Sequence, residues 1–204
     1  MDIPRGWMFR DGGEEGGMHM KRIWTLMILM LFLVGCAKED GQLDRAMNVR
    51  ARWIAKTVCF DAKVVADYGD ETYEFTMECT AAPEGELRFT VKAPQTIAGI
   101  KGTVSASGGK LTFDDTALAF DLMADGQINP VSAPWVLVRT LRSGYLTSCC
   151  EEDGLLRVSI DDSYEEDALH MEIWLDGADQ LREAEIYWRG RRLMWISVSN
   201  FRME

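Results

Sequence analysis

Apolar and polar residues alternate along this chain in three different rhythms. From Ile23 to Val34 every position but Thr25 is apolar, directly after Lys21 and Arg22 and before Gly35-Cys36. A run of about a dozen residues is too short to span a bilayer, which takes roughly 20. From Leu43 to Lys56 the spacing is helical: Leu43, Met47, Ala51 and Ile54 form one stripe, with Arg45, Arg50 and Arg52 off it. This predicts an amphipathic helix, with Asp40 or Asp44 as its cap and the stripe packed on the domain. After Lys56 the period falls to two. Phe60, Ala62, Val64 and Ala66 alternate with Cys59, Asp61 and Lys63, and beyond Gly69-Asp70 Tyr73, Phe75, Met77 and Cys79 alternate with Glu74, Thr76 and Glu78. Glycine first in a two-residue loop suits a type II′ hairpin. Setting Tyr68 against Glu71 then pairs Ala66 with Tyr73, Val64 with Phe75, Ala62 with Met77 and Phe60 with Cys79. That register puts every apolar side chain on one face.

Alternation continues through Leu87–Val91, Thr103–Ser105, Lys110–Phe113 and Ala117–Leu122, with Ser107-Gly108-Gly109 as another hairpin turn. The stretch Asn129–Gly144 breaks it. Ser132 is the expected N-cap, Pro134 sits in the first turn where its missing N–H costs nothing, and Gly144 ends the segment. Val131, Trp135, Val138 and Arg142 form one stripe and Leu137 and Leu141 its neighbour, so this second helix has little polar face. Strands return over Tyr145–Cys149, Leu155–Ile160, Ala168–Leu175, Leu181–Trp188 and Leu193–Phe201. They are separated by turns at Glu151–Gly154, Asp176–Asp179 and Arg189–Arg191. Short strands at this spacing point to an all-β sandwich or a barrel-like sheet.

The apolar run with its basic start has the layout of a secretory signal. Leu33-Val34-Gly35-Cys36 resembles the lipobox of bacterial lipoproteins, and the resemblance implies cleavage before Cys36 and a diacylglyceryl group on its thiol. Leu33, Val34 and Gly35 would be the residues the signal peptidase reads. Acidic Glu14 and Glu15 lie upstream of the basic residues, where a secretory signal has none, so translation is expected to start at Met20. The expected organisation is residues 1–19 as an upstream or disordered extension, 20–35 as signal peptide, 36–42 as lipidated cysteine and tether, and 43–204 as one domain. From Cys36 to Glu204 there are 169 residues, enough for one sizeable core.

Charge narrows the class of partner. Basic and acidic residues balance in the leader, four of each, so the net charge of -11 belongs to the mature part. Such a chain repels nucleic acid and anionic headgroups, and its hold on a membrane comes from the lipid on Cys36. The implied location is the extracytoplasmic face of the cell membrane, or an outer membrane where the organism has one. Cys59, Cys79, Cys149 and Cys150 remain for disulfides; the hairpin register points Cys59 and Cys79 to opposite faces, and the spacing leaves pairing otherwise open.

Little else carries chemistry. His170 is the one histidine of the mature part and lies in an expected strand, where a structural role is the commoner use. There is no HExxH pattern, paired CxxC, Gly-rich phosphate loop or G-x-S-x-G elbow, so no cofactor, metal or catalytic residue is expected. The acidic run Glu151–Asp153 reads as solvated loop, since calcium needs six or more oxygens. Trp53, Trp135, Trp174, Trp188 and Trp195, with Met47, Met77, Met123, Met171 and Met194, are a large apolar stock. It fills a core or lines an adaptable cavity.

The element order of lipobox, helix, strand meander, inserted helix at Pro130–Gly144 and closing strands is similar to the lipoprotein-carrier group (LolA/LolB-like). So are the blocks Leu169–Leu175, Leu181–Trp188 and Ile196–Phe201. The similarity extends to germination-type lipoproteins of Gram-positive bacteria with that fold. It implies a mainly β (α+β) domain, a strongly curved antiparallel half-barrel of about ten or eleven strands covered by two helices. The implied function is non-catalytic binding of a lipid or other hydrophobic ligand. The cavity walls would be Phe75, Met77, Phe89, Val91, Met171 and Ile173 from the sheet and Trp135 and Leu137 from the helix. A lock on the lid would come from an arginine, with Arg139 and Arg142 as positional candidates. The second expectation is a regulatory or scaffolding lipoprotein whose interior is self-filled and which contacts another exported protein.

Overall fold

The alternating run after the first helix becomes the hairpin at the centre of the sheet, in the register its apolar pattern demands. A computed structural model describes residues 37–113, 116–121, 123–124 and 127–204. The leader, the signal run and the lipobox residues Leu33, Val34, Gly35 and Cys36 lie outside the described residues, as does Leu122. Strand β1 (Val58–Asp67) pairs with β2 (Thr72–Ala81), with Phe60 opposite Cys79, Ala62 opposite Met77, Val64 opposite Phe75 and Ala66 opposite Tyr73. The Tyr68 N–H donates to the Glu71 carbonyl at 3.0 Å, and Gly69 takes the positive φ that the first place of a type II′ loop requires.

Nine further strands extend this hairpin on both sides. They are β3 (Leu87–Ala93), β4 (Lys101–Ser105), β5 (Gly108–Phe113) and β6 (Thr116–Phe120), then, past a two-stranded ladder of β7 (Met123–Ala124) and β8 (Gln127–Ile128), β9 (Tyr145–Glu152), β10 (Leu155–Asp161), β11 (Leu169–Leu175), β12 (Leu181–Trp188) and β13 (Arg191–Met203). The main sheet has 11 strands in the order β6-β5-β4-β3-β2-β1-β13-β12-β11-β10-β9, every neighbouring pair antiparallel. It does not close, since β6 and β9 stand at opposite ends. The half-barrel expectation holds.

Turns explain the strand boundaries. Asp153-Gly154 and Arg189-Gly190 both have positive φ at each residue, which makes them type I′ loops whose twist matches the flanking strands. Glu151 and Glu152 therefore belong to β9, and the expected four-residue acidic loop shrinks to two. Glu152 is not idle in solvent: it accepts from the Trp174 indole N–H at 2.9 Å and pairs with Arg157.

Two helices complete the fold. Helix α1 (Ala37–Ala55) begins earlier than its apolar pattern suggests. Its packed face also differs from expectation. Ala46, Val49 and Trp53 are buried, whereas Leu43, Met47 and Ile54 are 47%, 48% and 50% exposed. The reason lies in the arginines. Arg45 and Arg52 both reach Asp179 at 2.6 Å, and Arg50 donates to the Leu141 carbonyl at 2.8 Å, so the helix is rolled with its arginine side toward the domain.

Helix α2 (Ala133–Ser143) follows a single 3-10 turn, Pro130–Ser132. Asn129, not Ser132, supplies the side-chain cap, accepting from the Val131 N–H at 3.1 Å; Ser132 already has helical backbone and is fully buried. Seven of the eight residues from Ala133 to Thr140 are buried, and the helix packs against β2, β13 and β10. It fills the concave face of the sheet, and the core is one contiguous cluster around it.

Gly144 ends α2 with extended backbone, so its need for glycine is one of space. A Cβ there would lie 2.7 Å from the Asp161 and Thr140 carbonyl oxygens and from Ile160 Cγ2. Gly144→Ala should lower stability by about 1–3 kcal/mol, as overpacking does. A denaturant melt of the variant against the unaltered chain measures it.

Candidate functional site

Where the C-terminal half of α2 crosses the end of the sheet, three segments distant in sequence leave a groove of about 490 Å³. Trp135, Val138, Arg139 and Arg142 come from α2, Ala81 and Glu84–Leu87 from the end of β2 and the turn into β3, and Ser105–Ser107 from the turn between β4 and β5. The floor is apolar: Ala81, Leu87, Trp135 and Val138 are all nearly fully buried. Charge sits on the rim. The Arg139 guanidinium lies 5.3 Å from the Trp135 ring centroid, within cation–π range, and Glu84 and Glu86 of the turn line the same groove.

Two hydrogen-bond sets hold the groove open in this shape. The Trp135 indole N–H donates to the Gly85 carbonyl at 2.8 Å, which ties the floor to the β2–β3 turn. Arg142 acts as a staple. Its guanidinium donates to the carbonyls of Trp53 (2.8 Å), Ala82 (2.5 Å), Lys56 (3.2 Å) and Ala81 (3.4 Å), joining the ends of α1, α2 and β2. Burial pulls its pKa below the ordinary value, while Glu84 opposes that shift. A planar fork with five donors suits this task better than a lysine. Of the two candidate arginines, then, Arg142 carries the locking geometry and Arg139 stands on the rim.

The eight residues expected to wall a cavity are all placed inside. Phe75, Met77, Phe89, Val91, Met171, Ile173, Trp135 and Leu137 each belong to the single core cluster, with exposures from 0% to 8%. Trp135 alone among them also lines the groove. Phe89 folds over Gly102, where a Cβ would come within 2.4 Å of its ring. Glu84, Leu87, Ser105 and Arg139 were missed as a set by sequence reasoning; nothing in their spacing signals that two turns and a helix meet.

The outer face of β9–β12 carries a polar ladder instead. His170 is held on both ring nitrogens, Nδ1 by Asp161 at 2.7 Å and Nε2 by Glu172 at 2.9 Å. Ser159 bridges Ser148 and Glu172. Among the described residues Cys59, Cys79, Cys149 and Cys150 are all free thiols, and burial pushes those of Cys79 and Cys149 up. Among the described residues no group of three or more His, Cys, Asp or Glu side chains is placed so that it could hold a metal ion.

No family model and no curated protein matches the chain. Solved structures do show likeness. A putative outer membrane lipoprotein-sorting protein domain from Vibrio parahaemolyticus aligns with a TM-score of 0.46 at 12% identity, covering 81% of this chain and 93% of that one. A LolA superfamily protein from Nitrosomonas europaea aligns at 0.41 and 7%, over 78% and 93% of the two chains. The Mycobacterium tuberculosis lipoprotein LppX aligns at 0.39 and 12%, over 79% and 93%. These neighbours are of the kind the sequence resemblance named. At such low scores and identities no residue role transfers from them.

Two measurements test the site's supports. Removing the staple in Arg142→Ala leaves four carbonyls without their donor and should cost about 3 kcal/mol in a denaturant melt, with Arg142→Lys recovering only part. The second concerns pH. Burial works against the charged imidazole of His170, but hydrogen bonds to Asp161 and Glu172 outweigh it and raise its pKa above the ordinary 6.5. The stability it contributes is therefore complete below the unfolded value and lost as pH rises through the folded one. His170→Gln should lower the melting temperature in acid and leave it unchanged in alkali.

Proposed function

We propose that the protein is a membrane-anchored, extracytoplasmic lipoprotein that binds an amphiphilic hydrophobic ligand, without catalysis, in the groove beneath α2. The reading is carried by one observation: an apolar floor of Leu87, Trp135 and Val138 under a charged rim of Arg139 and Glu84, in a recess of ligand size. The ligand's chain would lie on the floor. Its polar head would meet Arg139 on one side and Glu84 on the other, which suits a zwitterionic phospholipid. Phe75, Met77, Phe89, Val91, Leu137, Met171 and Ile173 form the packed wall behind the floor. In this reading a longer chain enters among them as α2 moves outward, and the Arg142 staple sets the cost of that movement. Leu33, Val34 and Gly35 direct processing, and Cys36 holds the anchor.

A second reading rests on that same packed interior. All eight wall residues are buried by one another and by α2, as a self-filled domain requires. The protein then works as a regulatory or scaffolding partner of another exported protein.

Thermal melts with added phospholipid or fatty acid separate the two, because a ligand of the native state must stabilise it, by about 2.7 kcal/mol at a hundredfold excess over Kd. The binding reading expects a higher melting temperature, and expects Ala106→Trp, which fills the groove mouth from an exposed turn, to abolish the gain. No gain in the unaltered protein sinks the lipid reading and favours the partner.

A further inference from the structure

The roll of α1 leaves an apolar stripe with nothing on it. Leu43, Met47, Ala51 and Ile54 recur at helical spacing and are exposed, while the face that packs is Ala46, Val49 and Trp53. A stripe from residue 43 to residue 54 is about 17 Å long at the α-helical rise. Single exposed apolar residues need no explanation, but an aligned set on one helix does. The helix cannot turn this face inward, since Arg45 and Arg52 on Asp179, Arg50 on the Leu141 carbonyl and Arg142 on the Trp53 carbonyl fix its rotation.

We infer that this stripe is a bilayer-contacting face, seated at the headgroup–acyl boundary of the membrane that holds the lipid on Cys36. The inference rests on the anchor proposed above. Three features select lipid over other occupants. Leu43 stands seven residues after Cys36, so the stripe begins within about 25 Å of the acyl attachment even with the intervening chain fully extended. Arg45 and Arg52 neutralise Asp179, and Asp44 is the one carboxylate from Gly41 to Lys56, so this side of a protein of net charge -11 carries little uncompensated negative charge. An acidic body near an anionic surface turns its least acidic side toward it. Finally, a diacylglyceryl group carries two acyl chains and keeps the domain at the surface by itself, so a contact of modest apolar area on α1 has only to orient the domain there. With α1 against the bilayer, the domain is held in one orientation instead of pivoting about its lipid.

The test uses the full-length lipidated protein in vesicles of phosphatidylethanolamine with a minor fraction of phosphatidylglycerol, the acyl chains carrying a photoactivatable diazirine. After irradiation, peptide mass mapping should find lipid label on the segment 43–54. The label should be lost in Leu43→Ser/Met47→Ser/Ile54→Ser, while vesicle attachment and melting temperature stay unchanged. Should the triple variant melt lower, Met47→Ser alone serves, with loss of label read at that position. A lipidated, vesicle-bound chain with no label on α1, or one whose stripe cross-links to a second copy, overturns the stripe and leaves the anchor standing. An intact mass showing unmodified Cys36 overturns the anchor, and the stripe's assignment with it.

Discussion

A sheet that curves without closing has one concave apolar face and no second sheet to pack it against. Here that face is covered mainly by a short helix, α2, buried from Ala133 to Thr140 except at Arg139, with Ala46, Val49 and Trp53 of α1 joining the same core. Everything else is arranged to keep this helix in place. The 3-10 turn and Asn129 set its entry, Gly144 lets the chain leave past the Ile160 side chain and the Asp161 carbonyl, and Arg142 ties its last turn to both α1 and β2. The groove is the remainder of that arrangement. It exists where the helix overhangs the sheet's end and the two turns beside it do not reach.

Arginine does much of the long-range joining. Arg45 and Arg52 on Asp179, Arg50 on Leu141 and Arg142 on four carbonyls connect segments that the sheet's own hydrogen bonds leave separate. Asp179 can serve two cations because the turn before β12 is itself rigid, with Asp176 accepting from the Ala178 and Gln180 N–H groups and from Arg182. Arg142 has four carbonyl acceptors and Arg45 two acceptors, which offsets their desolvation, whereas Arg50 has the Leu141 carbonyl alone and keeps a buried Nη2 without a partner. The result is a helix, α1, whose orientation is determined by polar contacts and whose apolar side chains are left over.

That same arrangement explains what could be read from the sequence. The β1–β2 register followed from period two alone, since a slip of one residue would have turned Phe60, Val64 and Met77 to solvent. The meander of later strands was legible for the same reason. Helix α1 was legible as a helix and misread as to its face: four apolar residues in a stripe ordinarily mark the core side, and no pattern shows that Asp179 and Leu141 will capture the arginines. The cap of α2 was misplaced because Ser132 resembles a cap in one dimension, while the 3-10 turn that Asn129 initiates adds a step before the helix. The groove was illegible altogether, since it joins turns near residues 84 and 106 to a helix near 139, and proximity of that kind is a product of the finished sheet.

The order of strands has one more consequence. The centre of the sheet pairs β1, the first strand, with β13, the last, residue Val58 standing opposite Met203. Hairpins on either flank can form locally and early, but the two halves join only through this most distant of pairings, and its loop-closure entropy must be met before any contact across it is gained. Folding is therefore gated by the arrival of the C-terminus. Until the final strand is available, β1 and β12 each expose an unpaired edge and the surface that α2 bridges lacks β13, so the sheet stays in two halves until the last residues arrive.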